Sequence, residues 1–388
     1  MRAILLPFLF TVADALVVKS TPDDPDLYAT GASKGELNLD LPPEDRWTDY
    51  VKVHRASQLR WAENCAEVLE SYGRDRVDRW LKAQWIPEDY QREMQGLVKA
   101  VDNANYTYEC VFMQNLLYDA RFDNGIRVPT VSKPAEHGEP HMMCSGVLAA
   151  DPSGMVIHAR NADWGHEHGT TAYGSVDMTA TRGGKPVYRA IMNPPLIGMH
   201  SGMSLGPGAW SIEQNTRSEY GLDRDENVAW AEQGGHTSFF ISRYIMEQGM
   251  NYSEALRMFA KMKWNSRQYL IMAGAGPWEG AVITIDPALS FQNVAVLNPD
   301  NHRFIYQLNS DSWLPPNDER DDVVLKWEAR PHLINMNSIW NLITQGPDLY
   351  NDGNVFTYMA VPAKGYWRLL IHPEGSLAEA IQRKQEGA

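Results

Sequence analysis

An α+β architecture, two sheets layered with helices, is the fold class this sequence predicts. Three observations carry it. Apolar residues recur at helical spacing through residues 46–120, strand-like segments dominate from Cys144 onward, and helical blocks separate the later strands. No internal repeat or low-complexity tract breaks that order.

Taken in order, Met1 and Arg2 make a short charged lead, Ala3 to Val12 an apolar run, and Ala13-Asp14-Ala15 a small-x-small cleavage pattern. Residues 1–15 therefore read as a secretory signal peptide rather than a buried helix. The run is too short to span a bilayer, and no later segment is long and apolar enough. Residues 16–45, rich in Pro, Asp and Gly, read as an extended lead-in. Helices are expected within Trp47 to Tyr72 and Pro87 to Val101. Residues 121–143 are dense in Pro, Gly and charge, which makes an exposed linker. Such loops are where chains are cut, and this one ends at Met143.

Strands are expected at 144–150, 155–162, 174–181, 186–192 and 209–214, with a turn at Arg182-Gly183-Gly184-Lys185. A helical block follows at 236–262. Strands return at 268–273, 280–285, 292–297 and 303–309, then a second helical block at 320–345, a strand pair near 354–372 and a short helix from Ser376.

With 388 residues and 44% hydrophobic content the chain can bury a large core. Its formal net charge of -14 argues against a nucleic-acid partner, whose binding draws on Lys and Arg. Asn105-Tyr-Thr and Asn251-Tyr-Ser are glycosylation acceptors if the chain takes a secretory route. Of three cysteines, Cys65 and Cys110 either pair or remain two buried thiols, and Cys144 is the economical choice for the spare. His166-Glu167-His168, His137 and His141 lack third and fourth ligands at characteristic spacing, so no metal is expected. Gly274 and Gly276 lack the rest of a nucleotide fingerprint, and no cofactor is expected.

The chemistry concentrates at Cys144. A lone Cys is ordinarily a small buried apolar residue. This one follows an exposed linker and begins a strand. Asp151-Pro152-Ser153-Gly154 supplies a turn, and the returning strand brings Arg160, Asn161 and Asp163 back alongside it. Were the Met143–Cys144 bond cut, Cys144 would gain an α-amine with an ordinary pKa of about 7.7–8.0. That amine can act as general base for its own thiol, with no catalytic His required. Asp163 would hold the amine, and Arg160 would support the thiolate or a developing oxyanion.

These residues carry a resemblance. Cys144, Ser145, Asp151, Gly154, Arg160, Asn161 and Asp163 stand in the spacing of the N-terminal-nucleophile cysteine amidases of the acid ceramidase and N-acylethanolamine-hydrolysing acid amidase family, whose core the choloylglycine hydrolases share. Glu279 to Thr284, Leu308 to Trp313 with the charged cluster Asp318 to Asp322, and Tyr106 to Cys110 are similar to further family segments. The likeness spans roughly residues 45–372. Two features depart from it. Thr216 stands where the family carries an active-site Glu, between Asn215 and Arg217. About thirty residues separate the Tyr-Glu segment from the nucleophile.

The resemblance implies a four-layer αββα fold. It implies a proenzyme cut at Met143–Cys144 into an α chain (16–143, including the 121–143 linker) and a β chain (144–388), which form an α/β heterodimer. Asn309 matches the family's oxyanion-hole Asn, with Asn215 and Arg217 as further oxyanion or substrate contacts. The implied reaction hydrolyses a fatty-acid amide, N-acylethanolamine or ceramide-like, through an acyl-Cys144 intermediate in a lysosomal or extracellular setting, with peripheral membrane or lipid-activator contact. The alternatives are a choloylglycine or penicillin V acylase-type amidase on other amides and a non-catalytic lipid-binding descendant.

Overall fold

The structure, a computed structural model, describes residues 33–116, 119–120, 144–163, 174–217, 224–316, 319–328, 330–345, 349–350 and 354–372. The expected signal peptide, the 121–143 linker with Met143, the His166–His168 cluster and the helix from Ser376 lie outside these residues.

Two sheets form the centre. The smaller contains β2 (Ser145–Ala150), β3 (Val156–Asp163), β11 (Phe304–Gln307), β12 (Asn354–Val361) and β13 (Tyr366–Ile371), in the order β11-β2-β3-β12-β13. The larger runs β1-β4-β5-β6-β7-β8-β9-β10. Its strands are β1 (Ser33–Asn38), β4 (Val176–Arg182), β5 (Lys185–Met192), β6 (Ser201–Ser204), β7 (Trp210–Thr216), β8 (Gln268–Gly274), β9 (Gly280–Asp286) and β10 (Ser290–Val296). Every partnership is antiparallel except β1 with β4.

Side-chain alternation explains the layering. On β2, Leu148 and Ala150 pack with Tyr269, Ile271 and Ala273 of β8, between the sheets. Val147 and Ala149 point the other way, into a core with Val324 of α8 (Glu319–Glu328) and Ile339, Trp340 and Ile343 of α9 (Met336–Gln345). A strand covered on both faces must be apolar on both, which is why residues 146–150 read as an unbroken apolar run. The outer face of the larger sheet is covered by α1 (Thr48–Tyr72), α2 (Arg74–Ala83), α3 (Glu88–Val101), α4 (Tyr108–Gln114), α5 (Arg224–Glu232), α6 (Ser238–Glu247) and α7 (Tyr252–Lys261). The order is helix, sheet, sheet, helix, the four-layer αββα arrangement.

Several elements refine the sequence reading. The 236–262 block is two helices, parted at Gly249, whose φ of +67° suits glycine, and Asn251 restarts the chain with a capping box to Glu254. The 320–345 block also divides, at the short 3-10 turn Pro331–Leu333, because proline cannot continue a helix. The strand β1 is hidden in the Pro-rich lead-in, and α5 and β6 carry too weak a pattern to be read. Asn105 and Asn251 are both exposed.

Two devices tie the helical layer together. Cys65 and Cys110 form a disulfide joining α1 to α4, which resolves the choice the spacing left open. Glu93 of α3 is fully buried and accepts hydrogen bonds from Arg46 (2.8 Å), Trp47 (2.7 Å) and both terminal nitrogens of Arg243 in α6 (2.6 and 2.7 Å). Burial alone would pull Arg243 down. Glu93 and then Glu247 outweigh it and hold the guanidinium well above its ordinary pKa.

His372 sits in the core of the smaller sheet's edge, its Nε2 3.0 Å from Thr357 Oγ1. Burial pushes its pKa down to about 3. The unfolded chain takes that proton near pH 6.5, whereas the folded chain refuses it until about 3. Stability is therefore complete above pH 6.5 and falls as pH drops toward 3. Urea midpoints measured at pH 7, 5.5 and 4.5 should decline, and His372→Gln should flatten that decline; parallel curves for the two proteins would refute it.

Candidate active site

The nucleophile candidate enters the smaller sheet from the linker. Cys144 immediately precedes β2, is fully buried, and is in no disulfide. The β2–β3 turn forms as its residues dictate. Asp151 Oδ1 accepts from the backbone N–H of Ser153 (2.8 Å) and of Met155 (3.1 Å), and Gly154 takes φ +86°. The hairpin then sets Ser145 opposite Asn161 and Gly146 opposite Arg160.

That register delivers Arg160 to the sulfur. Its Nη2 donates to Cys144 Sγ at 3.1 Å and to the Gln214 carbonyl at 2.8 Å. Its Nη1 donates to Ser201 Oγ at 2.6 Å and to the His200 carbonyl at 3.2 Å. The guanidinium is thus fixed from β6 and β7 of the opposite sheet. The His200 ring stacks on Phe356 at 5.3 Å, and burial, then Arg160, holds its pKa well below the usual histidine range. Arg160 rather than His200 therefore carries the positive charge against the sulfur. Asp163 is buried at the C-terminal end of β3, opposite Asn354 and at the sheet end where Cys144 enters β2. Asn161 faces the helical side, where Nδ2 donates to the carbonyls of Ile343 (2.8 Å) and Leu349 (2.5 Å).

Asn309 follows β11, the strand beside β2, so it comes to the same end of the sheet. Its Nδ2 donates to the Thr216 carbonyl at 2.9 Å. Its Oδ1 accepts from Arg320 Nη2 at 3.2 Å, and Arg320 Nη1 donates to the Cys144 carbonyl (2.9 Å) and Ser145 Oγ (3.2 Å). Arg320 is a residue that sequence reasoning passed over. Its signal was only its place in the charged cluster after Asn309. The cluster brings Cys144, Arg160, Asn309 and Arg320 together.

Asn215 and Arg217 serve neighbouring contacts. Asn215 Nδ2 donates to the Gln307 carbonyl at 2.9 Å, linking β7 to β11 across the layer between the sheets. Arg217 grips Asp311 with two bonds of 2.7 and 2.6 Å and Gln292 with one of 2.6 Å. Asp311 also accepts from Tyr269 at 2.7 Å, so the loop carrying Asn309 is braced two residues beyond it. Thr216 is buried, and its hydroxyl has no hydrogen-bond partner among the described residues. Also among the described residues, no group of three His, Cys, Asp or Glu is arranged to hold a metal ion, and no helix is long and apolar enough to cross a membrane.

No family model matches the chain. Among curated proteins it is 27% identical over 296 residues to the N-acylethanolamine-hydrolyzing acid amidase of Caenorhabditis elegans, covering 74% of this chain and 76% of that protein. It is 25% identical over 292 residues to the acid ceramidase of Rattus norvegicus, covering 71% and 69%. The solved structure of a Caenorhabditis elegans N-acylethanolamine-hydrolyzing acid amidase ortholog superposes with a TM-score of 0.50 at 24% identity, over 57% of this chain and 93% of that one. Fold and relatives together define a hydrolase of linear amide bonds built on the N-terminal-nucleophile fold. Over about seven tenths of its length the chain is similar to the acid ceramidases and N-acylethanolamine-hydrolyzing acid amidases.

Proposed function

We propose that this protein is a self-cleaving cysteine amidase that hydrolyses fatty-acid amides, N-acylethanolamine or ceramide-like, after entering the secretory route. Cys144 Sγ first attacks the Met143 carbonyl. The peptide nitrogen leaves as the α-amine of Cys144, and water hydrolyses the thioester, giving residues 16–143 and 144–388. In the cut enzyme the α-amine takes the thiol proton, the thiolate attacks the substrate's amide carbonyl, and the ammonium returns the proton to the departing amine. Water then releases the fatty acid from the acyl-Cys144 thioester. Asp163 orients the amine, Arg160 supports the thiolate, and Asn309 shares the oxyanion.

The observation that carries this reading is the 3.1 Å contact from the buried Arg160 guanidinium to the Cys144 sulfur, which is in no disulfide. A guanidinium at this distance can stabilise negative charge that develops on the sulfur as it attacks. The substrate class rests on what the relatives' names say they hydrolyse. The test is intact-mass analysis of protein made through a secretory route, followed by a panel of N-acylethanolamines, ceramides and conjugated bile-acid amides. A fragment beginning at Cys144 that turns over the lipid amides is expected. A continuous chain that binds lipid without turnover would sink the proposal.

Arg320 yields a further expectation. Removing it leaves the Cys144 carbonyl and Asn309 Oδ1 without this charged donor, a loss of about 1.5–3 kcal/mol. Arg320→Ala should therefore slow fragment formation by roughly 10- to 150-fold. Time-resolved gel analysis reads it, and an unchanged rate would remove Arg320 from the site.

A further inference from the structure

Between the sheets, one strand pair along from the nucleophile, lies a second polar cluster that the mechanism above does not use. Glu213 enters it from β7 and is fully buried. Its Oε2 is 3.1 Å from His158 Nε2, and its Oε1 has no hydrogen-bond partner among the described residues. That Oε1 occupies the place of a missing side chain: a Cβ built on Gly146 would fall 1.9 Å from it. Gly146 pairs with Arg160, and His158 and Arg160, two apart on β3, face the same layer. His158 Nδ1 lies 2.8 Å from Ser211 Oγ. Tyr358, paired with Arg160 from β12, sets its hydroxyl 3.2 Å from His158 Nε2. Burial, then Glu213, raises the Tyr358 pKa well above its ordinary value, with Arg160 opposing them and a hydrogen bond with Glu213 adding to the rise.

The Glu213 carboxylate, the Arg160 guanidinium, the His158 and His200 imidazoles and the Cys144 thiol are thus all buried between the sheets. Coulombic attraction is strong there, and a carboxylate with a spare oxygen competes with the sulfur for Arg160. We propose that Glu213 and His158 are a positioning pair: His158 holds the Glu213 carboxylate, and Arg160 is thereby left to the Cys144 sulfur. The glycine at 146 is what lets the carboxylate come this close. The proposal rests on the reading of Cys144 as nucleophile.

The test uses the full chain and three variants, His158→Gln, Glu213→Gln and the double variant. Each is measured for division at Met143–Cys144, for kcat and KM on N-palmitoyl-aminomethylcoumarin, and for melting temperature. His158→Gln is expected to lower kcat about tenfold or more, because the freed carboxylate turns to Arg160. KM should stay within about twofold. Adding Glu213→Gln should recover most of that loss. A double variant as slow as His158→Gln would overturn the proposal, since a merely packed Glu213 predicts no recovery. If His158→Gln fails to fold, Glu213→Gln alone decides. Its kcat–pH profile should shift by about half a unit or more if the carboxylate's charge reaches the sulfur, and an unmoved profile overturns it. A wild type that neither divides nor turns over amides removes this proposal together with the nucleophile reading; a working wild type without the recovery removes this proposal alone.

Discussion

Replacing Cys144 by alanine should leave one undivided chain with amide hydrolysis at background. In the proposed mechanism the sulfur acts twice, first on the Met143 carbonyl and then on the substrate, and the second act needs the amine that the first one makes. Losing a nucleophile of this kind costs on the order of 10⁶ in kcat. The fold should survive. Cys144 is small and buried, and Arg160 keeps Ser201 and the carbonyls of His200 and Gln214 when the sulfur is gone. A stability change near about 1 kcal/mol is expected. Mass analysis and a melting curve on the same sample check both halves. A Cys144→Ala chain that still divides would place the scission chemistry elsewhere.

Glu93→Ala should produce the largest loss of stability. It leaves the fully buried Arg243 and the nearly buried Arg46 without their shared carboxylate. Breaking a buried pair from one side costs about 3–5 kcal/mol, and the loss should lie toward the lower end because Arg243 keeps Glu247 at 2.8 Å and Arg46 keeps Asp89 at 3.0 Å. The surface pairs that also join the helices behave differently. Arg76 with Asp225 and Arg79 with Glu232 are 37–60% exposed, so Asp225→Asn should cost only about 0–1 kcal/mol. Glu93 and Arg243 also stand on opposite sides of the proposed cut. Urea denaturation should show the Glu93→Ala loss in the undivided Cys144→Ala background, and the divided Glu93→Ala protein should come apart in gel filtration. The divided wild type should separate under denaturing conditions without reductant, because Cys65 and Cys110 pair with each other upstream of the cut and Cys144 is in no disulfide.

Much of this was legible in the sequence where the pattern is local. The β2–β3 hairpin was readable because Asp151 and Gly154 are turn residues and the strands beside them are covered on both faces. Cys144 and Arg160 followed from that hairpin's register. Other features depend on long-range pairing and left no local trace. The strand β1 is a short segment that becomes a strand only by joining β4, about 140 residues away. Arg320 reaches Cys144 across 176 positions, and Glu213 reaches His158 across 55. Neither spacing carries a sequence signature. The break at Gly249 was visible as a residue, but the run of apolar residues around it outweighed it.

The parallel strand at the rim of the larger sheet has a consequence for how such an enzyme must be made. Ser33–Asn38 comes from upstream of residue 144, yet it completes a sheet whose other strands all lie downstream. If the chain is cut before Cys144 as proposed, its two products share one sheet and are not two independent folding units. Assembly has to come first and division afterwards, so halves translated from separate messages would each begin with an unfinished edge.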